Sequence, residues 1–313
     1  MVKDKIDYIQ EYNSIKDGFL VFFCGKGYEL EPGVSIASKV DPSVFLVGSC
    51  TNVFKQRVFG DSISYSGHAL VQPAINSKYF PDFNVDSIGK FVSTYTVLGL
   101  LHRKENLYQI ISDQYNFFTD VVGLDMKNIS IKANESDADL CGSIRGFSNK
   151  VIVQGDACRN FFGKHNGIPL LGRNIRFYYN NNNICVLSIY RYQDKDVGVE
   201  SSATVQGLLM EKYSLKNTMC LSPLNDIKVA NTSLELKYYD CITAVSELLH
   251  AGVVPNSSHM SGRILKKYIK QLYTISNNEN DFIGLIKYYL AAMYPKHNMD
   301  VETVVKGAFI KCR

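Results

Sequence analysis

The sequence predicts an α+β chain: a leading helix, an antiparallel sheet, then an all-helical tail. Three observations carry this. Apolar residues among the first 25 positions recur near a 3.6-residue period, β-rich runs between Gly, Asn and Ser clusters fill the middle, and the pattern from about Ser202 onward is helical. The 313 residues give room for one large domain or two ordinary ones, and 46% hydrophobic with 20% charged residues is a globular composition.

Ile6, Ile9, Tyr12, Phe19, Phe22 and Phe23 mark one helix face over residues 1–25, with Gly25 and Gly27 as its stop. Val44–Val47, after Asp41-Pro42, reads as a short buried strand. A second helix is expected over 107–122, ended by Gly123. Strands are expected at Ile129–Lys132, Val151–Val153, Arg173–Tyr179 and Ile184–Tyr192. The asparagines 180–183 between the last two form a hairpin turn, because Asn tolerates the positive φ that tight hairpins need. Helices follow at 202–213, 234–250, 260–275, 279–294 and 299–311, the third opened by Pro255-Asn256-Ser257-Ser258. The division expected is a sheet domain over 1–215 and a helical domain over 216–313. No internal repeat is visible.

Several function classes are argued against. No run of 18 apolar residues lacks a charge, so no membrane span is expected. Met1-Val2-Lys3-Asp4-Lys5 leads into no apolar stretch, so the expectation is a cytoplasmic protein. Eight cysteines without a CxxC, and six dispersed histidines, give neither a disulfide framework nor metal-ligand spacing. His165 beside Lys164 is the one histidine to watch. No GxGxxG, P-loop or GxSxG is present. A net charge of +4 names no nucleic-acid partner by itself.

Several collinear stretches resemble the catalytic core of alanyl-tRNA synthetase, a class II aminoacyl-tRNA synthetase. Phe19–Gly27, Asp41–Leu46 and Asn52-Val53-Phe54-Lys55 are similar to the family's FxxFFxxKGH, DPTLLF and MNQFK segments. Asn160-Phe161-Phe162 stands at its NFW and Val199–Leu208 at its VDTGMGLERL. Ala251–Pro255 running on to Gly262–Lys270 has the shape of its ADGVxPSN…GYVLRRIIRR. The resemblance covers nearly the whole chain but only the front part of the family protein. It therefore implies a class II synthetase-like antiparallel sheet flanked by helices, in a stand-alone paralogue without the editing and C-terminal domains.

Adenylate formation needs cations on the ATP phosphates, where charge builds up in the transition state. The resemblance puts the family's phosphate-directed arginines at Asn76, Ser93 and Gly207, and its motif 2 glutamate at Gly99. Two motif 3 glycines become Ser202 and Thr204, and the GPCGPC loop becomes Ile168–Arg173. Phosphate-directed arginines carry on the order of 10³–10⁵ in rate, so ordinary alanine activation is not expected. No cofactor is assigned, and ATP enters only if the phosphate site has been rebuilt. Arg103, Arg173, Arg176 and Arg191 are the arginines available for that, with Arg191 the best placed; each also reads as a solvated strand-edge charge.

What the resemblance keeps is Glu200, at the family's amino-group-binding aspartate, where a carboxylate pairs with an ammonium. Phe162 stands for a tryptophan wall and Val186 for a pocket asparagine. Arg263, Lys266, Lys267 and Lys270 share one helical face at i, i+3, i+4 and i+7, on the helix that the resemblance places in the family's tRNA acceptor-stem-binding module. Lysines suit an RNA backbone as point charges, and an ordinary solvated basic face has the same pattern. The functions expected are a degenerate paralogue that binds tRNA or a protein partner or, alternatively, an enzyme whose remodelled pocket acts on an amino acid, its adenylate or an aminoacyl ester. A homodimer is compatible with either.

Overall fold

The computed structural model describes residues 7–76, 92–147, 149–154, 159–276 and 278–310. Asp7 caps the first helix, α1 (Tyr8–Gly25), by accepting from Gln10 N–H, and Gly27 at φ 91° turns the chain out. Ile6 lies outside the described residues. Then come β1 (Glu29–Glu31), α2 (Thr51–Phe59), β2 (His68–Ile75), β3 (Thr94–His102) and α3 (Leu107–Asn116). A five-residue π-turn, Phe117–Val121, extends α3 to Gly123 at φ 80°, as the sequence predicts. The middle of the chain adds β4 (Ile129–Asn134), α4 (Ala138–Ser143), β5 (Lys150–Val153), β6 (Asn160–His165), β7 (Ile168–Tyr179), β8 (Asn182–Tyr192) and β9 (Lys195–Thr204). The helices α5 (Val205–Tyr213), α6 (Ser233–His250), α7 (Met260–Ile275), α8 (Glu279–Met293) and α9 (Val301–Ile310) complete it.

Among the described residues the strands form one sheet, ordered β1-β2-β3-β9-β8-β7-β4-β5 with β6 on β7. The pairs β1–β2 and β4–β5 are parallel and the rest antiparallel. The chain is thus α+β, with an antiparallel-dominated sheet flanked by helices and followed by a helical part. Asn180 and Asn181, at φ 48° and 68°, make the β7–β8 hairpin turn.

Alternation along the strands sorts the sheet into two faces. On one, Leu98, Leu100, Leu187, Ile189, Val199 and Ala203 pack under α1, α3 and α5. On the other, Leu70, Ala74, Val97 and Leu101 meet Phe54 and Val58 of α2. Gly99 lies between Val97 and Leu101, and a Cβ there would stand 2.3 Å from Cys50 Sγ, so only glycine lets the start of α2 sit on β3. The helices α6–α9 bury a third cluster that also takes in Ile36, Leu46 and Ile75 from the front of the chain.

Two expectations need correction. Val44–Val47 is a loop: Val47 bonds Ile36 and Ile75 through its backbone, but no ladder forms. The helix expected from 202 starts at Val205, because Ser202 and Thr204 end β9 and Thr204 caps α5 through Gly207 N–H. The strands β2 and β3 lie in a stretch for which no element was expected.

Candidate functional site

The face that carries α2 continues past that helix into an open cleft of about 750 Å³. Val186 and Ser188 of β8 and Glu200 and Ser202 of β9 line its floor. They are cross-strand partners, Val186 with Ser202 and Ser188 with Glu200, so all four project to one face. Thr51, Asn52 and Lys55 of α2 form one wall, Asn160, Phe161 and Phe162 of β6 another, and Ile264 of α7 closes the helical side.

Glu200 is 3% exposed. Its Oε1 accepts from Thr51 Oγ at 2.9 Å and its Oε2 from the Tyr190 hydroxyl. Burial pushes its carboxyl up to about 7, against the opposing pull of the Tyr190 and Thr51 donors and the Lys55 charge. Each oxygen keeps a lone pair beyond its one bond. Phe162 stands edge-on to Tyr190 at 5.0 Å, and a Cβ at Gly172 would come within 2.5 Å of the Phe162 ring. The wall residue thus braces the tyrosine that holds Glu200.

Lys55 is the one cation lining the cleft among the described residues. Its Nζ lies 2.6 Å from Asp41 Oδ2, which also accepts from Asn52 at 2.8 Å. Burial alone would raise the Asp41 carboxyl, yet donors from Lys55, Ser43 and Asn52 outweigh it and hold it at about 2. The ammonium is therefore neutralised by a firmly ionised partner. Asp41, Thr51, Asn52, Lys55 and Tyr190 enter the site through the structure, and the first four lie within or beside the matched segments around Asp41-Pro42 and Asn52–Lys55. Collinear matching in two separate segments was the signal that would have paired them.

The positions that the resemblance assigns to ATP hold no cation. Ser93 is buried and bound to Asp240 of α6, through N–H at 2.7 Å and Oγ at 2.6 Å. Asn76 lines the cleft, Gly99 lies under Cys50, and the Gly207 N–H caps α5. Of the arginines available to replace them, Arg176 lies beside the cleft, across from Val186 in the β7–β8 ladder, and the other three lie elsewhere. Arg103 donates to Ile63 O and lies over the Tyr65 ring. Arg173 is bound by Asp139 and Asp196. Arg191 is three residues along β8 from Ser188, hence on the opposite face, where it lines a separate pocket with Arg159 and Arg173. The structure brings Glu200, Phe162 and Val186 together and leaves Arg191 outside.

Leu98 and Leu100 of β3 and Val205 at the start of α5 belong to the core on the opposite face and do not line the cleft. On α7, Arg263, Lys267 and Lys270 are exposed and Lys266 is half-buried, its Nζ 3.0 Å from Ser257 Oγ. This basic face shares its helix with Ile264, which lines the cleft. His165 stacks on Phe59 at 4.5 Å. Among the described residues no group of three or more His, Cys, Asp or Glu side chains could hold a metal ion, and no helix is long and apolar enough to cross a membrane.

No family model matches the chain, and no curated protein matches it. Solved structures similar to it include aspartyl tRNA synthetase from Entamoeba histolytica, 8% identical over 69% of this chain and 57% of that one, with a TM-score of 0.46. Asparaginyl-tRNA synthetase from the same organism, in complex with asparaginyl-adenylate, is 9% identical over 68% and 65%, at 0.45. The RNA binding domain of threonyl-tRNA synthetase from Cryptosporidium parvum is 11% identical over 65% and 64%, at 0.44. The chain spans less than two thirds of each of these structures. Similarity of this degree fixes neither specificity nor activity.

Proposed function

We propose that this chain is a class II synthetase-like core, related to alanyl-tRNA synthetase, that binds RNA along α7 and does not activate alanine with ATP. The observation that carries this is the charge inventory of the cleft: its one lining cation, Lys55, is already held by Asp41. A triphosphate needs several cations placed where charge develops, and a neutralised lysine does not supply them. The basic face of Arg263, Lys266, Lys267 and Lys270 stands on the helix that walls the cleft, so RNA held there would present an end near the cleft mouth. Two assays test the reading. Alanine-dependent pyrophosphate exchange with ATP is expected to be absent, and salt-sensitive tRNA retention on a filter is expected to be present. Exchange on the order of 1–10³ s⁻¹ overturns the first part. Loss of retention even at low salt overturns the second.

A second reading rests on Glu200. A buried carboxylate on the floor of an open cleft, with lone pairs to spare, would orient the ammonium of an amino acid, its adenylate or an aminoacyl ester. The two readings are compatible, since an aminoacyl end and an RNA backbone belong to one molecule. Glu200→Gln would then weaken binding of an amine-bearing ligand and leave RNA retention by α7 intact.

A further inference from the structure

Beside the cleft, on the same face of the sheet, lies a second pocket of about 230 Å³, lined by Lys132 and Asn134 of β4, Val153 of β5, and Asn174, Arg176 and Tyr178 of β7, with Asp137 at its side. Lys132 and Arg176 are direct cross-strand partners in the β4–β7 ladder. Like charges at such a position repel and destabilise the pair. Neither has a carboxylate partner among the described residues. Asp137, the acid that lines the pocket, is committed to Arg159 through two bonds of 2.9 Å and to Arg173 at 3.4 Å. Lys132 stays close by lying over the Tyr178 ring, 3.9 Å from its centroid.

A third donor lines the pocket. Asn174 is 9% exposed, and its Oδ1 accepts from Asn160 at 3.3 Å and from Ser188 Oγ at 3.2 Å. This fixes the amide, and its Nδ2 is buried with no acceptor. A buried amide donor without an acceptor is costly, so its persistence beside two cations that have no carboxylate partner among the described residues asks for a common acceptor.

We infer that Lys132, Asn174 and Arg176 form an oxyanion subsite, which takes the carboxylate or phosphate end of a ligand. A guanidinium fork, an ammonium and a neutral amide offer donors from three side chains, which suits a group with several acceptor oxygens. Asn174 lies opposite Ser188, and Ser188 opposite Glu200, so the subsite is two strand spacings, about 10 Å, from the Glu200 carboxylate. It lies on the β7 side of Glu200, whereas Asn76, Ser93 and Gly207 lie toward β2, β3 and α5. It therefore lies apart from the three positions that the resemblance gives to the phosphate-directed arginines.

The test uses the full chain in a low-anion buffer, titrated calorimetrically with inorganic phosphate and separately with succinate. Wild type is expected to bind at least one, and the tighter of the two identifies the source as phosphate or carboxylate. Arg176→Gln and Lys132→Gln are each expected to weaken binding about tenfold, as the loss of one charge-assisted bond implies. Without anion both variants should melt no lower than wild type, since each removes a repulsion. Added phosphate or succinate should then raise the melting temperature of wild type and not that of Lys132→Gln/Arg176→Gln. Lys266→Glu/Lys270→Glu should keep the same anion affinity, which separates this subsite from the RNA face. The inference is overturned if neither anion binds at tens of millimolar, or if the Lys132→Gln/Arg176→Gln protein binds as tightly as wild type.

Discussion

Ser93 of the strand side and Asp240 of α6 are joined by two hydrogen bonds across 147 residues of sequence, at 2.7 and 2.6 Å. Where the resemblance places a phosphate-directed arginine, the chain has a structural tie between its sheet and its helical part. Burial raises the Asp240 carboxyl to about 6 despite the two Ser93 donors. Ser93→Ala removes the hydroxyl and leaves a buried carboxylate oxygen without that donor, which should cost about 1–3 kcal/mol. Asp240→Asn and the double variant complete a cycle in urea unfolding. A coupling energy near zero would show that the two groups are neighbours and no more.

Glu200 sets a pH dependence. Its carboxyl titrates near 7 in the folded chain and near its ordinary 4.5 when unfolded. Between those values the folded state holds a proton that the unfolded state has released, so stability falls as pH rises from about 4.5 to 7. Wild-type stability attributable to this group is highest below 4.5 and is lost above 7, by on the order of 3 kcal/mol. Glu200→Gln removes the titration. The stability of that variant relative to wild type should rise between pH 5 and pH 8, measured by denaturant unfolding at both. A constant difference would mean that Glu200 does not titrate in this window.

Gly99→Ala tests how closely α2 approaches the sheet. The new methyl would meet Cys50 Sγ at 2.3 Å, Cys50 Cβ at 2.6 Å and Phe54 at 3.2 Å. Cys50 and Phe54 are fully buried, so the strain is not relieved by a free rotor. Overpacking of this kind costs about 1–3 kcal/mol, read as a lowered melting temperature. An unchanged melting temperature would mean that α2 is free to lift away from β3, and the cleft wall with it.

The helices were legible because their apolar periodicity is long. Residues 107–122, 234–250 and 260–275 were placed to within a residue or so, and the Asn180-Asn181 turn was read from its chemistry. The strands β2 and β3 were not. They are buried on both faces, as Ala69, Leu70, Leu98 and Leu100 show, and so lack the alternation that marks a strand with one wet side. The start of α5 was misplaced because Ser202 and Thr204 carry no periodicity of their own, and strand pairing with β8 overrides local preference. At the site, Glu200, Phe162 and Val186 followed from the resemblance, whereas Arg191 did not fit. Which face a strand residue takes depends on register, and Arg191 is an odd number of residues from Ser188. The pairing of Lys132 with Arg176 is likewise a product of register, invisible in a list of charges.

The basic face of α7 gives the last prediction. If RNA phosphates lie along Arg263, Lys266, Lys267 and Lys270, each neutralised phosphate releases counterions, and binding weakens steeply as salt rises. Lys266→Glu/Lys270→Glu removes two contacts and adds two repulsions. The slope of log affinity against log salt should become shallower by about 0.7–0.9 for each phosphate lost. Affinity at low salt should fall by at least about tenfold. Arg263, Lys267 and Lys270 are exposed and only Lys266 makes a side-chain bond, at 3.0 Å to Ser257. Exposed substitutions cost within about 0.5 kcal/mol each, so the melting temperature should hardly move. A large drop in melting temperature would mean that these lysines hold the helix in place. Equal tRNA affinity in both proteins at two salt concentrations would reject the RNA face and leave the Glu200 cleft as the site to pursue.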